Sequence, residues 1–146
     1  MIDAEILKPV IALLGWTLVM GLWMYATRIP AMMRDPGIEP GKMVGTNGAS
    51  LRAQLPERVS WKADNYNHLH EAPTLFYAAA LTLAMIGQGD GFNLWLAWMY
   101  VFLRILHSLV QATVNVVPVR FALFLLSQVA LGGLILHAAI TVFGWR

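Results

Sequence analysis

Residues 91–119 read GFNLWLAWMYVFLRILHSLVQATVNVVPV and contain one charged side chain, Arg104. A helix that crosses a bilayer needs roughly 20 predominantly apolar residues at about 1.5 Å rise each, and this run supplies them. Its flanks behave alike: Val10–Ala26 and Phe121–Trp145 contain no charge. Ala72–Ile86 also contains none, but it reaches spanning length only if its helix starts near Asn65 and tolerates Glu71. None of these runs alternates in polarity, which excludes the strands of a membrane barrel. The pattern predicts an all-α integral membrane four-helix bundle, a single transmembrane domain over residues 1–146. Its helices are expected at about 6–27, 62–87, 92–115 and 119–143, with a long loop at about 28–61.

Composition agrees. The chain has 146 residues, 58% of them hydrophobic and 12% charged. A soluble domain carries about 25% charged residues, and lipid removes the need for the missing half. A net charge of +2, with no basic stripe interleaved with aromatics, gives no footprint for nucleic acid. The absence of cysteine rules out disulfides, thiolate metal sites and a cysteine nucleophile, so any thiol chemistry must use a substrate's thiol. His68 and His70 point apart on a helix, and no metal site is expected.

The acidic start, Met1-Ile2-Asp3-Ala4-Glu5, lacks the basic n-region of a secretory signal, so the first run is expected to remain as a helix. Arg28, Arg34, Lys42, Arg52, Arg58 and Lys62 lie between the first two helices, and Arg120 ends the last link. The link Gly87–Gly91 has no base. The positive-inside rule then puts both termini outside the cytoplasm. Trp95, Trp98 and Trp145 fall at the outer interface, and Trp23, Tyr25 and Trp61 at the inner one. Proline and glycine between Arg28 and Gly48 argue against regular structure there.

Polar groups at membrane depth are costly and face a bundle interior or a cavity. Asn67, His68, Glu71 and Thr74 share one helical face, and Pro73 frees a carbonyl one turn earlier. That cluster suits a cationic or amine group; the alternative is simple hydration at the cytoplasmic interface. On the third helix Arg104, His107, Ser108, Gln111 and Asn115 draw one stripe about 16 Å long. Glu71 is the acid available to Arg104, and the two are expected to pair inside the bundle, either to set register or to serve a ligand. Pro118 suits a first helical turn. Beside Asn115, Arg120 is either an anion clamp or an interface anchor. His137 reads as a hydrogen-bonded packing residue.

Together these motifs resemble the MAPEG family, the membrane-associated proteins in eicosanoid and glutathione metabolism. Arg104-Ile105-Leu106-His107-Ser108 followed by Pro118-Val119-Arg120 is similar to the Arg-x-x-His-Thr…Pro-x-Arg signature of one branch. Glu71 followed by Pro73 is similar to the Asn-x-x-Glu…Pro element of the family's second helix. The resemblance runs from Arg58 to the end, with a matching first helix. It implies a homotrimer with glutathione bound between subunits near the cytoplasmic side, in a bacterial inner membrane.

By position, the resemblance gives Arg120 the role of stabilising the glutathione thiolate, with Ser108 as a hydrogen-bond donor. Glu71, Asn67, His68, Arg104, His107 and Gln111 fall on its glutathione-binding shell, and Glu71, Arg104 and Arg120 are expected to line one cleft. There are departures. Asn67 and His68 stand for arginine and asparagine, and Asp64 replaces a further arginine. Gln111 and Phe124 stand for tyrosines, and Pro73 follows Glu71 by two residues rather than three or four. Each lost donor should weaken the hold on the two carboxylates of glutathione. Two functions follow: a glutathione-dependent transferase or peroxidase acting on apolar or lipid electrophiles, or a non-catalytic protein that binds lipid or quinone or serves a larger membrane complex.

Overall fold

The computed structural model describes residues 5–144, apart from the side chain of residue 40; positions 1–4 and 145–146, including Trp145, lie outside the described residues. Six α-helices account for most of the chain: α1 (Leu7–Arg34), α2 (Gly48–Gln54), α3 (Glu57–Glu71), α4 (Pro73–Met85), α5 (Gly91–Thr113) and α6 (Val117–Phe143). A 3₁₀ turn spans Pro40–Lys42, and no strand occurs among the described residues. Three helices, α1, α5 and α6, are long and apolar enough to cross a membrane.

The second expected span, 62–87, is not one helix of that kind. Pro73 has no N–H to offer the Leu69 carbonyl, and the helix divides there into polar α3 and apolar α4. Ala72 keeps helical dihedrals of −65° and −39°, so the two pieces run on through it. Two neighbouring carbonyls find side-chain donors at this joint. The Thr74 hydroxyl donates to the Glu71 carbonyl at 2.7 Å, and the Tyr100 hydroxyl to the Ala72 carbonyl at 3.4 Å.

The boundaries of the 28–61 loop also change. Helix α1 continues past position 27, through Pro30, to Arg34. Before that proline the Thr27 hydroxyl donates to the carbonyls of Trp23 and Met24, at 3.0 and 3.1 Å. Further along, Asn47 caps α2 by accepting from the backbone of Ala49 and Ser50, and Ser50 returns a bond to the Asn47 N–H. The segment between α1 and α3 is therefore partly helical. It is tied down by the buried side chains of Ile38 and Leu55 and by the Arg52–Asp64 ion pair at 2.8 Å.

Helix α5 is the hub. It packs most extensively on α6 and also contacts α1 and α3. The core runs through Leu13, Met20, Phe76, Leu83, Ala97, Tyr100 and Leu134, with the Phe76 and Tyr100 rings stacked at 4.5 Å. Ile6 N–H bonds the Gly89 carbonyl at 2.9 Å, so the start of α1 adjoins the α4–α5 link. At the opposite end, Trp61 and Asn115 border one cavity, so α3 meets the α5–α6 link there. That is the end where the basic residues gather. Phe121, Leu125, Leu126, Val129 and Leu136 leave α6 with a broad exposed apolar face, as a lipid-facing helix requires.

Gly21 lets α1 approach α3: a Cβ there would lie 2.9 Å from the Tyr66 ring. Gly21→Val is expected to cost about 1–3 kcal/mol through overpacking, read as a lowered thermal unfolding temperature in detergent. Gly15→Ala, whose added carbon meets nothing within 4 Å, should leave that temperature unchanged or slightly raised.

Candidate functional site

The polar stripe of α5 faces inward. Arg104, His107, Ser108 and Gln111 are all buried, and Phe102, Leu109, Trp95 and Trp98 occupy exposed faces of the same helix. Two different environments result. Toward α1 and α3, the Ser108 hydroxyl accepts from Trp16 Nε1 at 3.0 Å and from Asn65 Nδ2 at 2.6 Å. This joins three helices through one oxygen. Toward α6, His107 and Gln111 border a cavity of about 310 Å³, completed by His68, Val117, Arg120, Phe121 and Phe124.

His107 is positioned from two sides. Its Nδ1 lies 2.7 Å from the Arg120 carbonyl, which can only accept, so Nδ1 carries the proton. Its Nε2 lies 3.2 Å from Gln111 Oε1; with Nδ1 protonated the neutral ring can only accept there, so a bond requires the amide turned to present its NH₂ group. The His68 ring stands 5.0 Å from the His107 ring and 5.5 Å from the Phe124 ring, centre to centre. Arg120 reaches the cavity from the first turns of α6, where its Nη1 donates to Asn115 Oδ1 at 2.8 Å. Asn115 adopts a left-handed φ of 51° in the α5–α6 link, which places its side chain beside Arg120. No other hydrogen bond of the guanidinium occurs among the described residues. No acidic side chain lines the cavity among the described residues; its electrostatic bias is toward anions.

Of the residues expected at the site, the fold brings His68, His107, Gln111 and Arg120 to this one cavity. Ser108 points elsewhere and is engaged by Trp16 and Asn65. Asn67 borders a separate polar cavity with Arg28, Arg52 and Asp64. The expected Glu71–Arg104 pair does not form. Glu71 ends α3 in an exposed position, and Arg104 is fully buried without a hydrogen-bond partner among the described residues. Glu71 lies just before the Ala72–Pro73 joint on an exposed face of the helix, and its carboxylate stays at the surface. Glu71, Arg104 and Arg120 thus do not line one cleft within the chain. Arg104 instead lies behind the cavity wall, its guanidinium carbon 5.6 Å from the Phe124 ring centre.

Two wall residues, Val117 and Phe121, carry no chemistry that a sequence would flag; only their place on the first turns of α6 puts them there. Asn65 and Trp16 also escaped notice, the first overshadowed by Asn67, the second hidden in an apolar run. His137, by contrast, behaves as expected: its Nδ1 donates to Asn93 Oδ1 at 2.6 Å, and Asn93 passes a bond to the Gln88 carbonyl at 3.0 Å.

The chain matches the MAPEG family over residues 6–140 and belongs to it. Together with three apolar helices of spanning length, membership makes it an integral membrane protein. No curated protein and no solved structure matches the chain significantly.

Ser108→Ala removes the shared acceptor of Trp16 and Asn65 and leaves two donors in the interior. The expected cost is about 1–3 kcal/mol, visible as a fall in unfolding temperature. Ser108→Thr, which keeps the hydroxyl, should lose less.

Proposed function

We propose that this protein is a glutathione-dependent transferase or peroxidase of the membrane, acting on apolar or lipid electrophiles. The observation that carries this reading is Arg120. Its guanidinium borders an acid-free cavity and is held by a neutral partner, Asn115, which leaves its charge uncompensated. A free thiol has a pKa near 8.5, and an adjacent cation lowers it. Arg120 would hold the glutathione sulfur as a thiolate, its proton passing to solvent, and that sulfur would supply the nucleophile for an electrophilic carbon that carries a leaving group. The chain has no cysteine of its own, so the nucleophile arrives with the cofactor. His68, His107 and Gln111 supply polar contacts on one wall, while Val117, Phe121 and Phe124 offer an apolar wall to the electrophile. Val117 and Phe121 are exposed at the rim. In the trimeric four-helix bundle we propose, a neighbouring subunit covers that rim, and Glu71 and Asn67 meet the cofactor from their own positions.

A second reading rests on a specific observation. Ser108, Asn67 and Glu71 stand away from the cavity that holds Arg120. A pocket short of those groups suits a non-catalytic protein that binds a lipid or quinone, or a subunit of a larger membrane complex. Calorimetry separates the two: glutathione binding by the purified protein supports the enzyme, and no heat at millimolar glutathione supports the second reading. In the enzyme, Arg120→Ala should lower conjugation of a chlorinated nitrobenzene about 100-fold, the loss expected when one preorganised charge-stabilising donor is removed. Unchanged turnover would take Arg120 out of the mechanism.

For orientation, we propose a bacterial inner membrane with both termini outside and the basic end in the cytoplasm. The cysteine-free chain makes this simple to test. Gly89→Cys should react with an impermeant maleimide added to intact cells, and Gly45→Cys only after lysis; the reverse pattern inverts the assignment.

A further inference from the structure

Arg104 is the largest fully buried side chain, 0% exposed, and Nε, Nη1 and Nη2 all lack a hydrogen-bond partner among the described residues. A buried cation without a counter-charge carries a heavy desolvation cost. The helices around it cannot repay that cost. Helices α1, α4, α5 and α6 contain no Asp or Glu. In α3, Asp64 is paired to Arg52, and Glu57 and Glu71 are exposed.

The other buried polar groups of the bundle are neutral, so none supplies the missing negative charge; Asn65 Oδ1 is an unbonded acceptor among them. Tyr77 and Tyr100 are close enough to Arg104 to interact with it electrostatically. The Tyr77 hydroxyl is buried and approaches Thr17 without a formed hydrogen bond. Tyr100 already donates to the Ala72 carbonyl. Gln128 Nε2, one helical turn along α6 from Phe124, is likewise buried and unbonded. His107 spends its proton on the Arg120 carbonyl. Water would satisfy these donors but would leave the charge unanswered.

We infer that Arg104 is a concealed binding site for a small monovalent anionic group, a halide or a carboxylate, reached from the 310 Å³ cavity by displacement of the Phe124 ring. Phe124 has one face on the guanidinium and also lines the cavity, so it is the partition between the two. A turn about its side-chain torsions exchanges a cation–π contact for a charge-assisted bond to an anion. Arg120 at the cavity wall and Arg104 behind it then form two cationic stations in series. This goes beyond the proposed glutathione chemistry and does not need it.

The test is thermal unfolding of the full-length protein in detergent, at constant ionic strength and without glutathione. A bulky sulfonate salt is replaced stepwise by chloride in one series and by acetate in another. Binding to the folded state raises the unfolding temperature with ligand concentration. The expected result is a rise of several degrees in chloride, acetate or both; which salt acts tells whether halides or carboxylates are taken. Arg104→Met should abolish the response, and Phe124→Leu should shift its midpoint to lower concentration. Equal unfolding temperatures in all three salts, or the same response in Arg104→Met, would overturn the proposal. Should Arg104→Met fail to fold, the Phe124→Leu series decides: an unmoved midpoint places the anion elsewhere.

Discussion

Helix α5 has to satisfy two environments at once, and the arrangement of the other helices follows from that. Its outer face carries Trp95, Trp98, Phe102 and Leu109, which cost nothing against hydrocarbon. Its inner face carries Arg104, His107, Ser108 and Gln111, which lipid cannot hydrogen-bond. Each of these demands a partner from a neighbouring helix. Ser108 draws in Trp16 from α1 and Asn65 from α3. His107 takes the Arg120 carbonyl and so fixes the start of α6. The polar stripe thus sets the register of the helices more sharply than the apolar core, whose contacts are non-directional.

Arg104 shows what happens when such a demand is not met within the chain. It is fully buried, and the acids of the one acid-bearing helix packed on α5, α3, are exposed or paired to Arg52. A guanidinium placed there solely for packing would be a poor choice beside a leucine or methionine of similar bulk. It lies behind Phe124, next to a cavity bordered by Arg120. The two cations leave this end of the protein prepared for negative charge, whether a thiolate, a carboxylate or an inorganic ion.

The joint at Pro73 divides labour along the second helix. Below it, α3 is polar and brings His68 to the cavity, Asn65 to Ser108 and Asp64 to Arg52. Above it, α4 is apolar and packs on α6. Thr74 and Tyr100 supply hydrogen bonds to the Glu71 and Ala72 carbonyls at the joint, while the carbonyl that Pro73 leaves without its helical donor is that of Leu69. Glu71, just before the joint, lies at the surface.

The helical class and three apolar spans could be read from residue order, because apolar run length is a local property that a bilayer selects directly. So could the inward stripe of α5, since helical spacing alone places Arg104, His107, Ser108 and Gln111 together. The extension of α1 through Pro30 was hidden, because proline weighs against a helix locally and only packing overrules it. Which polar side chain meets which was hidden too. Asn67 and Asn65 are equally plausible in sequence, yet only Asn65 turns to Ser108. Glu71 and Arg104 looked like partners because opposite charges attract at any sequence separation. Whether they meet depends on the angle at which α3 ends and α5 passes it, and that angle belongs to the tertiary packing. Residue order by itself determined a membrane-bound helical chain with a polar face. The tertiary structure decided which of those polar groups share a cavity, because hydrogen bonds act over about 3 Å and helix packing alone sets distances that short.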